Sequence, residues 1–521
     1  MNLRECLVTA EERGDRPFLH VGDRSWSHAE YAALCERTGA AWVATGLAPG
    51  ERGAVLLDNR AELLASFHGL ASTGRVLVPM NTKYVPDEAA YVLAHSGART
   101  LVTDREHYER VVAPVRDRLP DLREVLLVDG DGDQDFRAAM EAAPRVESDA
   151  PDDADVAVVL YTSGTTGRPK GSLTPHAHFT FNGRALNDAI GLGADDVHMT
   201  VLPLFHQNAE TTSTGTLLAG AQLVVAPRFS RAGFWDEVVR HRVTHAGYLG
   251  SIIPLLDAFH DPREGDTDLR VMWGAGLSQE ALERLEPRWG VRFLEVFGMT
   301  ETGLDISNRI DHDRRPGSCG VVVPGKDVRI VDDQDREVPR GTPGQIVVKV
   351  MEAVTKGYLN DPGNTEAALR GGWMHTGDMA KQDEDGYFYF LDRYKDIIRR
   401  SGENIASADV EAAIRAHDAV EDAACIPVPD PIRGEEVKAV VVLAADAVGT
   451  VEPDDLRAWA AERIAPYKVP RYVEFVDDLA RTATGKIQKQ HLRAAHGARP
   501  FHDADAGAWV EGPRATEGSP A

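Results

Sequence analysis

The run YTSGTTGRPKG at 161–171 gathers five hydroxyl side chains, three glycines and Lys170 into one segment. Glycine accepts positive φ and close backbone approach, so N–H groups and hydroxyls across Thr162, Ser163, Gly164, Thr165, Thr166 and Gly167 can turn onto phosphate oxygens. Lys170 adds a cation. The Walker loop needs Gly-x4-Gly-Lys-Ser/Thr, whereas five positions beyond Gly164 stands Pro169, so this is a different phosphate loop. A flexible Gly/Thr linker is the plain alternative, but linkers do not follow an apolar strand such as DVAVVL and leave through Pro-Lys-Gly.

Such a loop needs a frame. From Ser27, SHAEYAALCERTGAAWVATG reads as a helix opened by a Ser27/Glu30 capping box and closed at a glycine. AVLLD, VLVPM and TLVTD then read as strands, with AELLASFHGLAST and PDEAAYVLAHSGA as helices between them. That alternation predicts an α/β fold with doubly wound parallel sheets. It continues to about residue 390, interrupted by Gly- and Thr-rich loops and a strand-rich stretch at 317–350. Near Asp392 the text shifts to short helices and strands that predict a small α+β domain. The expected organisation is a large multi-subdomain N-terminal domain at 1–391, a C-terminal domain at 392–500, and a disordered tail at 501–521 where periodicity is lost.

A chain of 521 residues exceeds what one core serves, and 43% hydrophobic with 27% charged residues suits a globular enzyme. Asp plus Glu outnumber Lys plus Arg by 82 to 57, for a net charge of -25. No nucleic acid partner is expected, and an anionic ligand must be held by a local site. Cys6, Cys35, Cys319 and Cys425 show neither CxxC nor zinc-ligand spacing and read as scattered buried thiols. The N-terminus has no apolar signal core and no later run approaches a membrane span, so a cytoplasmic protein is expected.

Six motifs in order carry a resemblance. YTSGTTGRPKG is followed by LPLFHQN at 202–208, FGMTE at 297–301, HTGD at 375–378, DRYKDIIRRSGENI at 392–405 and RTATGKIQK at 481–489. The chain resembles the adenylate-forming superfamily of acyl-CoA synthetases, luciferases and nonribosomal peptide adenylation domains over about residues 15–495. VHMTVLPLFHQNAE and FSRAGFWDEVVRHRVT look most like its carnitine and crotonobetaine CoA-ligase branch.

The resemblance implies ATP, Mg2+ and coenzyme A as cofactors and a mobile C-terminal domain. The catalytic residues it implies are Lys486, Thr300, Glu301 and His206. Glu301 and Thr165 would hold the metal, a hard cation that favours oxygen ligands. Thr300 would touch the α-phosphate, Phe297 would offer a ring to adenine, and Gly274 and Ala275 would pass the adenine edge. Asp378 would accept from both ribose hydroxyls, Arg393 would reach ribose or phosphates, and Gly402 would lie near the pantetheine channel. Lys486 would bridge the attacking carboxylate and the α-phosphate, and His206 would stand near the acyl carbonyl. Asp392 is expected to be a charged, exposed hinge. For Phe297 and His206 core packing is the plain alternative, for HTGD a turn, and for Lys486 a surface charge.

The acyl pocket is expected to draw on Gln207, Asn208, Glu210, Trp273, Leu304, Asp305 and Ser307, with two carboxylates facing either a polar or cationic ligand or solvent. The expected function is an AMP-forming acid–thiol ligase that adenylates a small polar carboxylic acid, releases pyrophosphate and forms the acyl-CoA thioester. The alternative keeps adenylation and changes the acceptor to a carrier protein, an amine, or nitrite activation for aryl-amine diazotisation. A non-catalytic nucleotide-binding regulator is disfavoured, since Glu301, Asp378, Arg393 and Lys486 are all present. A homodimer is compatible with this reading.

Overall fold

The computed structural model describes residues 1–146, 149–162, 169–250, 252–393, 396–400, 403–430, 433–481 and 487–510. The capping box forms as expected: Ser27 accepts from the Glu30 N–H, and Glu30 from the Ser27 N–H, at the start of the helix His28–Ala44. Gly46 just past its end has φ +86°, the left-handed conformation that glycine takes without a Cβ clash.

The contacts divide the chain into two units, the first being Met1–Arg329 with Val347–Thr376 and Gln382–Tyr389. Its six-stranded sheet runs, in spatial order, Glu124–Leu127, Thr100–Thr103, Arg52–Leu56, Val76–Pro79, Val156–Thr162 and Lys170–Pro175. The first five are parallel and the last is antiparallel to its neighbour. The chain lays Val76–Pro79 on one side of Arg52–Leu56 and then Thr100–Thr103 on the other, so the winding reverses at Arg52–Leu56. A nine-stranded sheet holds Val197–Thr200, Gln222–Val225, His245–Leu249, Val271–Ala275 and Arg292–Met299 as parallel neighbours. Nearly continuous apolar strands suit a sheet covered on both faces.

Two helix pairs cross with their backbones in contact. A Cβ on Gly69 would stand 2.2 Å from the Cys35 carbonyl oxygen, at the crossing of His28–Ala44 and Ala61–Ser72. A Cβ on Gly183 would stand 2.8 Å from the Gly215 Cα, where His176–Ile190 meets Gln207–Ala219. The second crossing brings Gln207 Nε2 to 3.2 Å from His178 Nε2 and seats the segment that carries His206.

The second unit takes Ile330–Ile346, Gly377–Lys381 and the chain from Phe390 on. Its seven-stranded sheet is built around the hairpin Val420–Asp430 and Gly434–Leu443, packed by Ser407–Arg415 and Pro453–Ala461. The expected loss of structure at 501–521 is corrected for residues 501–510, and the rest of that range lies outside the described residues. Phe501–Asp503 pairs antiparallel with Tyr472–Phe475 and turns back into Ala508–Val510. Phe501 packs edge-on against Tyr472 at 5.4 Å and lies under the Lys438 ammonium at 4.6 Å, while Arg471 holds both Asp503 oxygens at 2.9 Å. Three-residue strands are too short to show a period in sequence, but tertiary contacts suffice to order them. Among the described residues no helix is long and apolar enough to cross a membrane.

Gly69→Ala is expected to lower stability by about 1–3 kcal/mol, because the backbone it meets cannot rotate away as a side chain can. Chemical denaturation against the wild-type chain checks this. An unchanged midpoint would mean that the two helices separate freely.

Candidate active site

The two ends of the phosphate loop face each other across the sheet: Thr162 pairs with Lys170 in antiparallel register. Ser163, Gly164, Thr165, Thr166 and Gly167 lie outside the described residues. The loop's exit is held by the Tyr91 hydroxyl, which donates to the Pro169 carbonyl at 3.1 Å. Lys170 Nζ donates to Asn364 Oδ1 at 2.6 Å and sits 5.2 Å from the centre of the Tyr358 ring. The Tyr358 hydroxyl donates in turn to Glu301 Oε1 at 2.9 Å. Lys170 and Glu301, 131 positions apart in sequence, are thereby joined through one phenol ring.

Glu301 is buried at a turn between Arg292–Met299 and Gly303–Ser307, with Thr300 half-buried before it. The Thr355 N–H donates to the Glu301 carbonyl at 2.7 Å, and Thr355 Oγ1 lies 2.9 Å from Ser172 Oγ on the strand leaving the loop. Asn182 accepts from the Leu304 N–H at 3.0 Å, and Gly303, at φ +81°, lies so close that a Cβ would fall 2.1 Å from Asn182 Nδ2. Sequence reasoning missed Tyr358, Thr355 and Asn182. The only signal was the aromatic in KGYLN at 356–360. A buried carboxylate beside a phosphate loop suits magnesium, which takes one or two carboxylates and fills its octahedron with phosphate oxygens and water.

Behind Glu301 lies a closed charge cluster. Lys326 Nζ donates to Asp305 Oδ1 at 2.7 Å and to the Thr302 carbonyl, and Thr302 Oγ1 donates to Asp305 Oδ2. Both charged side chains are fully buried. Burial pushes the Asp305 carboxyl up and the Lys326 ammonium down, each opposed by the other's charge. Asp305 therefore does not face a ligand, which corrects the expectation of an acidic acyl pocket.

Glu210 corrects it a second time. It is fully buried on the helix Gln207–Ala219, neither carboxylate oxygen has a hydrogen-bond partner among the described residues, and burial pushes its carboxyl well above the usual range. Burial of this kind favours the protonated form. Trp273 is turned inward, its Nε1 donating to His198 Nε2 at 2.9 Å, and Leu304 and Ser307 are buried. Gln207 and Asn208 remain half-buried beside His206, which stands at the N-cap of the same helix. Asn59 pins this segment by accepting from the Leu204 N–H at 2.8 Å and donating to the Leu202 carbonyl at 2.9 Å.

Gly274 and Ala275 end the strand Val271–Ala275, with Gly274 packed so that a Cβ would lie 2.2 Å from the Tyr248 carbonyl oxygen. Glu295 supports the turn beyond: its carboxylate accepts from the Gly276 and Leu277 N–H groups at 3.0 and 3.2 Å and from the Tyr248 hydroxyl. Phe297 is buried, two residues along the same strand as Glu295.

In the second unit Arg393 Nε meets Asp378 Oδ1 at 2.7 Å, so the structure brings these two together. Asp392 is buried rather than exposed, which corrects its reading as a solvated hinge. Its carboxylate accepts from Ser407 Oγ and from the Ala408 N–H at 3.2 Å, capping the helix Ser407–Arg415. Lys489 Nζ donates to the same Ser407 Oγ at 2.5 Å and meets Glu411 at 2.7 Å. Gly402 and Lys486 lie outside the described residues.

Comparison with known proteins gives a consistent result. A model of the AMP-binding enzyme family matches residues 7–359, and one of the AMP-binding enzyme C-terminal domain matches residues 409–486. The crotonobetaine/carnitine–CoA ligase of Salmonella paratyphi C is 34% identical over 490 residues, covering 90% of this chain and 93% of that one. The solved structure of ATP-bound MatB from Rhodopseudomonas palustris superposes with a TM-score of 0.85 at 30% identity, covering 95% of this chain and 99% of that one. The o-succinylbenzoate CoA synthetase of Bacillus subtilis, in complex with its acyl-adenylate intermediate, gives 0.82 at 27% identity over 95% and 98%.

Two outcomes follow from the buried carboxylates. Glu210 binds its proton more tightly folded than unfolded, so its contribution is full below about pH 4.3, the unfolded value, and is lost as pH rises toward the folded one. Glu210→Gln is therefore expected to match wild type near pH 4 and to gain stability over it with rising pH in denaturation series. A constant difference at all pH values would show that Glu210 ionises normally. Asp305→Ala is expected to cost about 3–5 kcal/mol by stranding the buried Lys326 ammonium. Wild-type stability with a raised KM would instead return Asp305 to the acyl pocket.

Proposed function

The chain belongs to the AMP-binding enzyme family, and from that premise we propose that it activates a small polar carboxylic acid as an acyl adenylate and passes the acyl group to coenzyme A. It is an AMP-forming, acyl-CoA synthetase-like ligase that uses ATP, Mg2+ and CoA. The acid is what we add. Its polarity is supported by Gln207 and Asn208 beside His206 and by the 34% identity to enzymes named for crotonobetaine and carnitine. The observation that carries the reading is the junction of Lys170, Tyr358 and Glu301 at the mouth of the phosphate loop.

In this reading the loop 162–170 wraps the ATP phosphates, and Lys170 is held ready by Asn364 and the Tyr358 ring. Magnesium, when bound, offsets charge on the phosphate oxygens. Tyr358 orients the Glu301 carboxylate toward it, with Thr165 as a second oxygen donor and Thr300 near the α-phosphate. Gly274, Ala275 and Phe297 receive adenine, with Glu295 keeping the neighbouring turn in place. Asp378 takes the ribose hydroxyls, and Arg393, now paired with it, contributes to the same end. The acid's carboxylate attacks the α-phosphorus, the bond to pyrophosphate breaks, and Lys486 steadies the charge that builds between the two anions. The CoA thiolate then attacks the acyl carbon near His206, AMP leaves, and Gly402 lines the thiol's approach. A cytoplasmic location fits four buried cysteines scattered along the chain.

ATP–pyrophosphate exchange against a panel of acids, followed by mass spectrometry with and without CoA, tests this directly. Small polar acids are expected to support exchange, and the thioester to appear only with CoA. Exchange confined to long-chain fatty acids would overturn the substrate class. Lys486→Ala is expected to lose about 10²–10³ in adenylation rate, as when one oxyanion donor is deleted. It should still convert a synthetic acyl adenylate and CoA to thioester at near the normal rate. Normal pyrophosphate release by the variant would make Lys486 a surface charge.

A further inference from the structure

The helix Pro86–Ser96 sets its C-terminal half against the hairpin that bears the phosphate loop. Tyr91 and His95, one turn apart, share a face of that helix, and their rings are stacked with centres 5.2 Å apart and planes 25° from parallel. Each reaches a different strand of the hairpin. The Tyr91 hydroxyl donates to the Pro169 carbonyl at 3.1 Å, just before the exit strand Lys170–Pro175. His95 Nδ1 lies 2.8 Å from the Tyr161 hydroxyl, near the end of the entry strand Val156–Thr162. One stacked pair of rings therefore grips both ends of the loop.

Tyr161 completes an arch over the exit strand. It pairs with Gly171 across the hairpin, and a Cβ on Gly171 would fall 3.2 Å from Tyr161 Cζ and 2.8 Å from Val159 Cγ1. The tyrosine ring thus takes the space that a side chain at 171 would need. It meets His95 edge-on, with ring centres 5.8 Å apart. From Tyr161 the contacts run to His95, to Tyr91 and back to Pro169. Successive residues of a strand point to opposite faces, so an arch on the Gly171 face leaves the other face to Lys170. There the ammonium reaches Asn364 and the Tyr358 ring by the contacts already described.

Packing alone would not call for these atoms. Leucine or phenylalanine would fill the same volume, whereas two hydroxyls and an imidazole nitrogen are spent here on two points that flank the loop. The backbone is tied as well: the Asn360 side chain donates to the His95 carbonyl at 3.2 Å, and the Leu359 N–H to the Gly171 carbonyl at 2.8 Å. Helix, exit strand and the segment bearing Tyr358 are thereby held in one register. Burial lowers the His95 pKa, so at about pH 8 the ring is neutral and the arch acts by geometry alone.

We propose that Tyr91, His95 and Tyr161 are positioning residues for adenylation, fixing the exit strand so that the Lys170 ammonium meets the ATP phosphates. The three act through the backbone at 169–171 and not by contact with ATP. This rests on the reading that the loop and Lys170 take those phosphates.

The test measures MgATP binding to the full chain by calorimetry, together with both half-reactions for the acid that best supports pyrophosphate exchange. Tyr91→Phe removes one oxygen and nothing else, and is expected to raise the MgATP Kd and the KM for ATP by about three- to ten-fold. His95→Leu should do the same, and His95→Asn, which returns a polar atom near the place of Nδ1, should recover most of the loss. In all three the KM for the acid and the conversion of a synthetic acyl adenylate with CoA are expected to stay within about two-fold of wild type. A merely structural role would lower both half-reactions together and would not distinguish asparagine from leucine at 95, and either result overturns the inference. Lys170→Met serves as the reference. If it weakens MgATP while Tyr91→Phe and His95→Leu bind as wild type does, the arch fails alone; if Lys170→Met also binds normally, the reading of the loop fails with it.

Discussion

Two anions must meet inside a protein that repels both. The chain carries a net charge of -25, and ATP and a carboxylate have to be brought into contact before any bond can form. Long-range steering works against this, so attraction has to come from groups placed within a few ångströms of the reacting atoms. The geometry around Glu301 follows from that constraint. Lys170 is held by an amide oxygen and an aromatic face, so its charge stays available instead of being spent on a carboxylate. The carboxylate it might have paired with, Glu301, is occupied by a phenol hydroxyl, a neutral donor that orients it without cancelling its charge. Tyr358 thus stands between the two charges, its ring against the Lys170 ammonium and its hydroxyl on the Glu301 carboxylate.

The same logic accounts for the buried cluster behind the site. A turn that is to carry a metal-binding carboxylate must be held in place, and the turn at 300–302 joins the paired strands Arg292–Met299 and Gly303–Ser307. Lys326, Asp305 and Thr302 supply a fixed point from beneath, and Asn182 supplies another from the neighbouring helix. Buried ion pairs are poor sources of stability compared with apolar packing. Their advantage here is directional, since Lys326 and Thr302 each take one Asp305 oxygen and few alternative arrangements satisfy both.

Legibility in the sequence divides along physical lines. Caps and strand periods were readable because their causes are local: Ser27 and Glu30 are three residues apart. What escaped was set by partners distant in the chain. Glu210 and Asp305 sit beside motifs expected to face the ligand, so adjacency suggested that they face it too. A helix or strand sends neighbouring side chains to different faces, and Lys326, 21 residues from Asp305, decides the direction of the latter. Tyr358 was missed for the same reason, 57 residues from the glutamate it orients. The hairpin at 501–510 was lost because its strands are only three residues long.

The burial of Asp392 changes what a pivot at this residue can be. An exposed, unattached aspartate could turn in any direction, whereas this carboxylate accepts from Ser407 Oγ and the Ala408 N–H at the head of a helix. Ser407 also accepts from Lys489, and Lys489 is held by Glu411. Breaking hydrogen bonds to a charged group costs about 1.5–3 kcal/mol each, more than a freely swinging joint could tolerate. A rotation that leaves these bonds intact must therefore carry the Asp392 side chain, the helix Ser407–Arg415 and Lys489 together, and place the change of dihedral angle on the backbone that precedes the carboxylate. Lys489 stands three positions after Lys486. Asp392, the helix Ser407–Arg415 and Lys489 are in this way fastened to one another.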